Sequence, residues 1–69
     1  MQLFYNPTLK PHDINFCFDK NESRHIVKVL RKKIGDKLLI ANGVGYFFEA
    51  DILFNNPSKC EVKITKVTP

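Results

Sequence analysis

Sixty-nine residues carrying a net charge of +4 make one domain, with no room for a second. A chain of this size buries only about 60% of the surface it exposes when unfolded, and its core supplies only roughly 3–5 kcal/mol of net stability, which argues against a self-contained enzyme with a deep cavity. With 43% hydrophobic and 26% charged residues, the composition is that of a folded globular chain rather than a disordered one.

The N-terminal Met1 to Pro7 has no basic region and no long apolar stretch, so it does not read as a signal peptide. No apolar run reaches the ~18 residues of a membrane span. Leu3-Phe4-Tyr5 reads as an edge or first strand. Asn6-Pro7 and Pro11 stop it, because proline lacks the donor a sheet interior needs. Ile14 to Phe18 alternates and is β-prone, with Ile14, Phe16 and Phe18 expected to point inward.

Asp19 reads as a helix N-cap, and Glu22 completes an Asp-x-x-Glu capping pattern. The helix is expected from about Lys20 to Arg31, ended by Gly35-Asp36. On a wheel of ~100° per residue, Ile26, Val29 and Leu30 share one face. Arg24, Lys28 and Arg31 fall on the opposite side, with His25 on the border.

Lys37 to Ala41 is the next strand. Asn42-Gly43-Val44-Gly45 is a hairpin turn, whose Asn and Gly both tolerate positive φ. The strand Tyr46 to Phe54 follows. Glu49 and Asp51 mark its wet face, so Tyr46, Phe48, Ala50, Ile52 and Phe54 are expected inside and Phe47 outside. Asn55 to Ser58 is a turn. In Lys59 to Lys66, Cys60, Val62 and Ile64 form the inner set. About five strands and one amphipathic helix result, and a small mainly-β barrel with the helix capping one opening or side hides the sheet edges economically.

Charge is concentrated in one segment. From Lys20 to Lys37 seven cations (Lys20, Arg24, Lys28, Arg31, Lys32, Lys33 and Lys37) face two acids, Glu22 and Asp36. This segment holds the whole basic excess and points to an anionic partner. Arginine presents a planar fork to phosphate, and three chains on one stripe can follow one backbone. Against this stands the ordinary reading of a solvated helix face. Lys32 and Lys33 also sit where cations favour a helix C-terminus. His25 has no Cys, Asp or Glu at a spacing that completes a metal or acid–base site, so it is expected to be half-buried and to hydrogen-bond backbone or RNA. Phe47 either stacks a base, packs against another domain or stays exposed. Gly43 and Gly45 serve the turn, because the run that defines a phosphate-binding loop is missing. Cys17 and Cys60 fit no zinc spacing and are expected to be free thiols in a reducing cytoplasm.

His25-Ile26-Val27-Lys28-Val29-Leu30-Arg31 followed by Gly35-Asp36 resembles the H-x-x-x-V-L-R-x-x-x-G-D pattern of RsmE-type enzymes. These methylate N3 of a uridine in 16S ribosomal RNA. The resemblance continues through Asn42-Gly43, Phe48-x-Ala50-x-Ile52 and Val62-x-Ile64. It is to the family's N-terminal domain, a PUA-like β-barrel, and spans residues 1–69. It implies that the chain holds 16S ribosomal RNA through Arg24, His25, Lys28, Arg31, Lys32 and Lys33. Many family members have an Arg where this chain has Leu3, so any RNA contact made there is missing.

The resemblance further implies a cytoplasmic, dimeric parent enzyme. Its knotted SPOUT-type domain would bind S-adenosylmethionine and carry the chemistry, and residues 1–69 alone would neither bind the donor nor catalyse. A rival reading is a protein-interaction module whose basic helix binds an acidic surface. RNA binding with a salt slope separates the two.

Overall fold

The structure is a computed structural model that describes residues 3–69, so Met1 and Gln2 lie outside it. The elements follow in the order β1 (Leu3–Tyr5), β2 (Asn15–Cys17), α1 (Lys20–Arg24) with a π-helical turn (His25–Val29), β3 (Lys37–Ala41), β4 (Phe47–Asn56) and β5 (Lys59–Thr68). One five-stranded sheet has the order β1-β3-β4-β5-β2. Only β1 and β3 run parallel; the other neighbours are antiparallel. The expected mainly-β, PUA-like fold with one short helix is therefore present.

The sheet is not closed into a barrel. Its edges, β1 and β2, are three residues each and do not pair with one another among the described residues. Very short edges are one way to avoid unwanted pairing. The sheet curls until side chains from its two ends meet. Phe4 on β1 lies 5.9 Å from Phe18, just beyond β2, ring centroid to centroid. Phe16 packs edge-on against Phe18 at 5.2 Å.

Period-two alternation supplies the core. Leu38 and Ile40 of β3, Phe48, Ala50 and Ile52 of β4, and Cys60 and Val62 of β5 are all buried. Phe4, Leu9, Phe18 and Ile26 complete the cluster. Two expected inward residues are outside. Ile14 precedes β2, and its side chain is exposed although its carbonyl accepts the Ile64 N–H. Phe54 is half exposed because a bulge puts Leu53 between the pairs Ile52–Val62 and Phe54–Glu61. One extra residue reverses the facing of everything after it. Asn55 and Asn56, expected in the turn, extend β4.

The helix also differs from its expected course. Regular α-helix stops at Arg24, and the Leu30 N–H donates to the His25 carbonyl, an i→i+5 bond. The wider turn moves Val29 off the inner face, where Val27 packs in its place, while Ile26 stays fully buried and Leu30 half-buried. Arg31 does not belong to the helix. It takes φ 56°, the left-handed conformation that ends many helices.

Candidate nucleic-acid interface

The basic segment is anchored at both ends. At its start the Asp19 carboxylate accepts the Glu22 N–H at 2.7 Å, capping the helix. One turn on, buried Ser23 ties the helix to the sheet: its hydroxyl donates to the Phe18 carbonyl at 3.2 Å and accepts the Cys60 N–H at 2.7 Å. Ile26 then plugs the core. At the far end the Lys32 N–H donates to the Ile26 carbonyl at 3.0 Å, and the Asn55 side-chain amide donates to the Lys32 carbonyl at 3.5 Å. The Lys33 N–H donates to the Asp36 carboxylate at 2.8 Å. Gly35 and Asp36 exchange backbone bonds with Ile52.

On this frame Arg24, His25, Lys28, Arg31 and Lys33 are exposed and Lys32 is half-buried. The structure brings them onto one continuous segment, but not as the single helical stripe of the wheel. Arg24 ends the α-helix and Lys28 lies within the π turn; Arg31, Lys32 and Lys33 follow on irregular backbone. His25 is exposed rather than half-buried.

The described residues contain two ion pairs, and neither uses these cations. Lys37 meets Asp51 at 2.9 Å across β3 and β4, and Lys66 meets Glu49 at 4.0 Å. The hydrogen bond from Lys37 to Asp51, then their Coulomb attraction, raises the Lys37 pKa. Lys37 thus carries a charge already matched on the sheet, whereas the 24–33 cations remain free to meet a polyanion.

Among the described residues no three His, Cys, Asp or Glu side chains gather as a metal site. Nor does an enclosed pocket open among the described residues. Among the described residues no helix is long and apolar enough to cross a membrane. Cys17 and Cys60 are free thiols, the first exposed and the second buried.

Two organising residues escape periodicity. Ser23 falls on the inner side of the helix, where a polar residue looks out of place. Asn42 is buried at the β3–β4 turn. Its amide donates to the Leu9 carbonyl at 3.0 Å, and its carbonyl oxygen accepts the Val44 and Tyr46 N–H groups at 3.0 and 3.2 Å. Asn42 tolerates positive φ but does not adopt it; Gly43 and Gly45 do so in this turn, and Asn42 works through its side chain.

The family described as the RNA methyltransferase PUA domain matches residues 18–65. No curated protein matches. A probable rRNA-methyltransferase from Porphyromonas gingivalis has 32% identity and a TM-score of 0.81, over 99% of this chain and 27% of that one. A ribosomal RNA small subunit methyltransferase E from Neisseria gonorrhoeae, solved with S-adenosylmethionine, has 22% identity and a TM-score of 0.84, over 99% of this chain and 28% of that one. A predicted RNA methyltransferase from Thermotoga maritima has 27% identity and a TM-score of 0.74, over 96% of this chain and 29% of that one. The chain thus spans less than a third of the length of these structures. With most of its length matched, and its open five-stranded sheet superposing on theirs, this chain belongs to the RNA methyltransferase PUA domain family.

Proposed function

We propose that the chain holds 16S ribosomal RNA for a methyltransferase that modifies N3 of a uridine. The carrying observation is the 24–33 segment, with exposed cations outside the two ion pairs on a backbone fixed at both ends. Arg24, Lys28, Arg31, Lys32 and Lys33 grip phosphates, and His25 adds a hydrogen-bonding group beside them. Such contacts set register and orientation without reading sequence. The chemistry, with S-adenosylmethionine as donor, belongs to a catalytic domain beyond these residues in a dimeric, cytoplasmic parent enzyme. The supports are the resemblance of the His25–Asp36 pattern and the relatives solved with that donor.

The test is fluorescence anisotropy with a stem-loop from 16S ribosomal RNA over a salt series. Arg24, Lys28, Arg31 and one of Lys32 or Lys33 make roughly four phosphate contacts at a time, which gives a log–log slope near −3 at the single-strand value of about −0.7 per contact. Arg31→Ala is expected to weaken all RNA sequences alike and to move the slope by about 0.7 toward zero. Lys63→Glu, on the sheet, is expected to matter less. If Arg31→Ala changes neither quantity while Lys63→Glu weakens binding, the RNA face lies elsewhere.

A further inference from the structure

We propose that the row Tyr5–Ala41–Phe47 on the outer face of the sheet is a stacking site for an unpaired RNA base; this rests on the RNA-binding reading above. The register pairs Tyr5 with Ala41 and Ala41 with Phe47. The preceding row, Phe4–Ile40–Phe48, is buried, so by alternation these three side chains share the opposite face. Both aromatics are open to solvent, Tyr5 at 67% and Phe47 at 48% exposure. Their backbones stand two interstrand steps apart, about 9.6 Å. The intervening Ala41 is small enough to leave a shallow floor between two rings.

The site is built rather than incidental. The Tyr5 ring lies against the Gly43 backbone: a Cβ at Gly43 would fall 2.6 Å from Tyr5 Cε1 and 2.7 Å from its hydroxyl oxygen. Gly43 therefore fits both the positive φ of 76° and the ring resting on it. The turn beneath is held by buried Asn42, bonded to Leu9, Val44 and Tyr46.

The charges suit an anionic, planar ligand. Glu49, two residues along from Phe47 on the same face, is matched by Lys66. Exposed Lys10 follows Leu9 at this turn and takes part in neither ion pair; the Asp13 carboxylate accepts its backbone N–H. Stacking on an aromatic face raises affinity by roughly 5- to 150-fold per base and tolerates any sequence. It complements the basic segment, whose phosphate contacts add affinity through salt-dependent counterion release.

The experiment titrates the chain with single-stranded RNA of about 16 nucleotides and with an abasic oligomer of equal charge. Wild type is expected to prefer the base-bearing strand by about tenfold. Tyr5→Leu and Phe47→Leu keep apolar bulk and remove the π-face; each is expected to erase most of that preference. The salt slope should stay unchanged, because no phosphate contact is lost. Arg31→Ala is expected to do the reverse, lowering the slope while keeping the preference. Circular dichroism melts identify any leucine variant that fails to fold, and quenching of Tyr5 emission by RNA in a Tyr46→Phe background that leaves Tyr5 as the single tyrosine, absent with the abasic strand, reads the contact with the stacking row intact. Equal binding of base-bearing and abasic strands by a wild type with a normal salt slope overturns the stacking site and leaves the RNA-binding reading intact. Absence of any RNA binding overturns both. If the leucine variants abolish self-association of the chain and leave RNA affinity untouched, the row is a protein contact and the proposal fails.

Discussion

Phe4 and Phe18 come from opposite edges of one sheet, yet their rings meet at 5.9 Å. An open five-stranded sheet has two free edges and an exposed inner face. Here β1 and β2 stay unpaired with one another, and an aromatic contact bridges the gap that backbone bonds leave. Tilted ring pairs at this separation add ~0.5–1.5 kcal/mol beyond the area they bury. In a chain whose net stability is only a few kcal/mol, such a seam decides whether the sheet holds its curl.

Phe18→Ala is accordingly expected to unfold the chain. Truncating a buried Phe costs ~3–5 kcal/mol, comparable with the roughly 3–5 kcal/mol a core of this size supplies. Phe18→Leu fills most of the volume and is expected to cost under about 1.5 kcal/mol. Urea denaturation followed by circular dichroism separates the two. Equal stability of Phe18→Ala and wild type would show that the seam carries nothing.

Ser23→Ala tests the joint between helix and sheet. The substitution leaves the Cys60 N–H buried without its acceptor at 2.7 Å. A buried unsatisfied donor costs ~1–3 kcal/mol. Because the joint also fixes the basic segment, RNA affinity is expected to fall further than the loss of folded molecules explains. A melting curve together with an anisotropy titration at a temperature where the variant is folded measures both effects.

The strands of the core were legible because their signal is local: Leu38 and Ile40, Phe48 to Ile52, and Cys60 and Val62 alternate without interruption. The Asp19 cap was legible for the same reason. Phe54 was not, because a bulge is set by pairing with Glu61 across the hairpin rather than by its own neighbours. Val29 and Arg31 were misplaced because a wheel assumes constant pitch, and the π turn breaks it. Closure of the barrel depends on strand lengths and edge geometry that periodicity does not encode. Of the candidate site, charge and spacing gave the residues. The anchors Ser23 and Asn55 act through single tertiary hydrogen bonds and left no pattern to read.

Cys60 gives the chain an alkaline limit. Burial, with a smaller push from Cys17, raises its thiol pKa to about 11. The folded state therefore keeps the proton over a range where the unfolded thiol has lost it. Stability is fully present below the unfolded thiol pKa and is lost as pH climbs toward about 11, by at most ~1.4 kcal/mol per pH unit. The difference in melting temperature between wild type and Cys60→Ala is expected to shrink from pH 8 to pH 11. In native buffer a thiol reagent should modify exposed Cys17 promptly and Cys60 only after denaturant is added. Rapid labelling of both would show that the inner face of β5 is open.

Arg31 sets stability against binding at one residue. Its φ of 56° places a side chain in the left-handed region, which costs an L-residue roughly 1–2 kcal/mol and glycine almost nothing. At a helix end of this kind glycine is the usual occupant, and here an exposed arginine holds the place. Arg31→Gly is expected to relieve that strain and raise stability by up to ~1 kcal/mol, the rest being offset by the greater freedom of glycine in the unfolded chain. Arg31→Ala keeps the Cβ and the strain, so its stability is expected to stay near wild type. Both variants remove the guanidinium, and both are expected to lose RNA affinity with the same shift in salt slope, about 0.7 toward zero. Denaturant midpoints and anisotropy on the same three proteins check the two halves independently. A stabilised Arg31→Gly that binds RNA as tightly as wild type would leave the strained arginine without the role assigned to it.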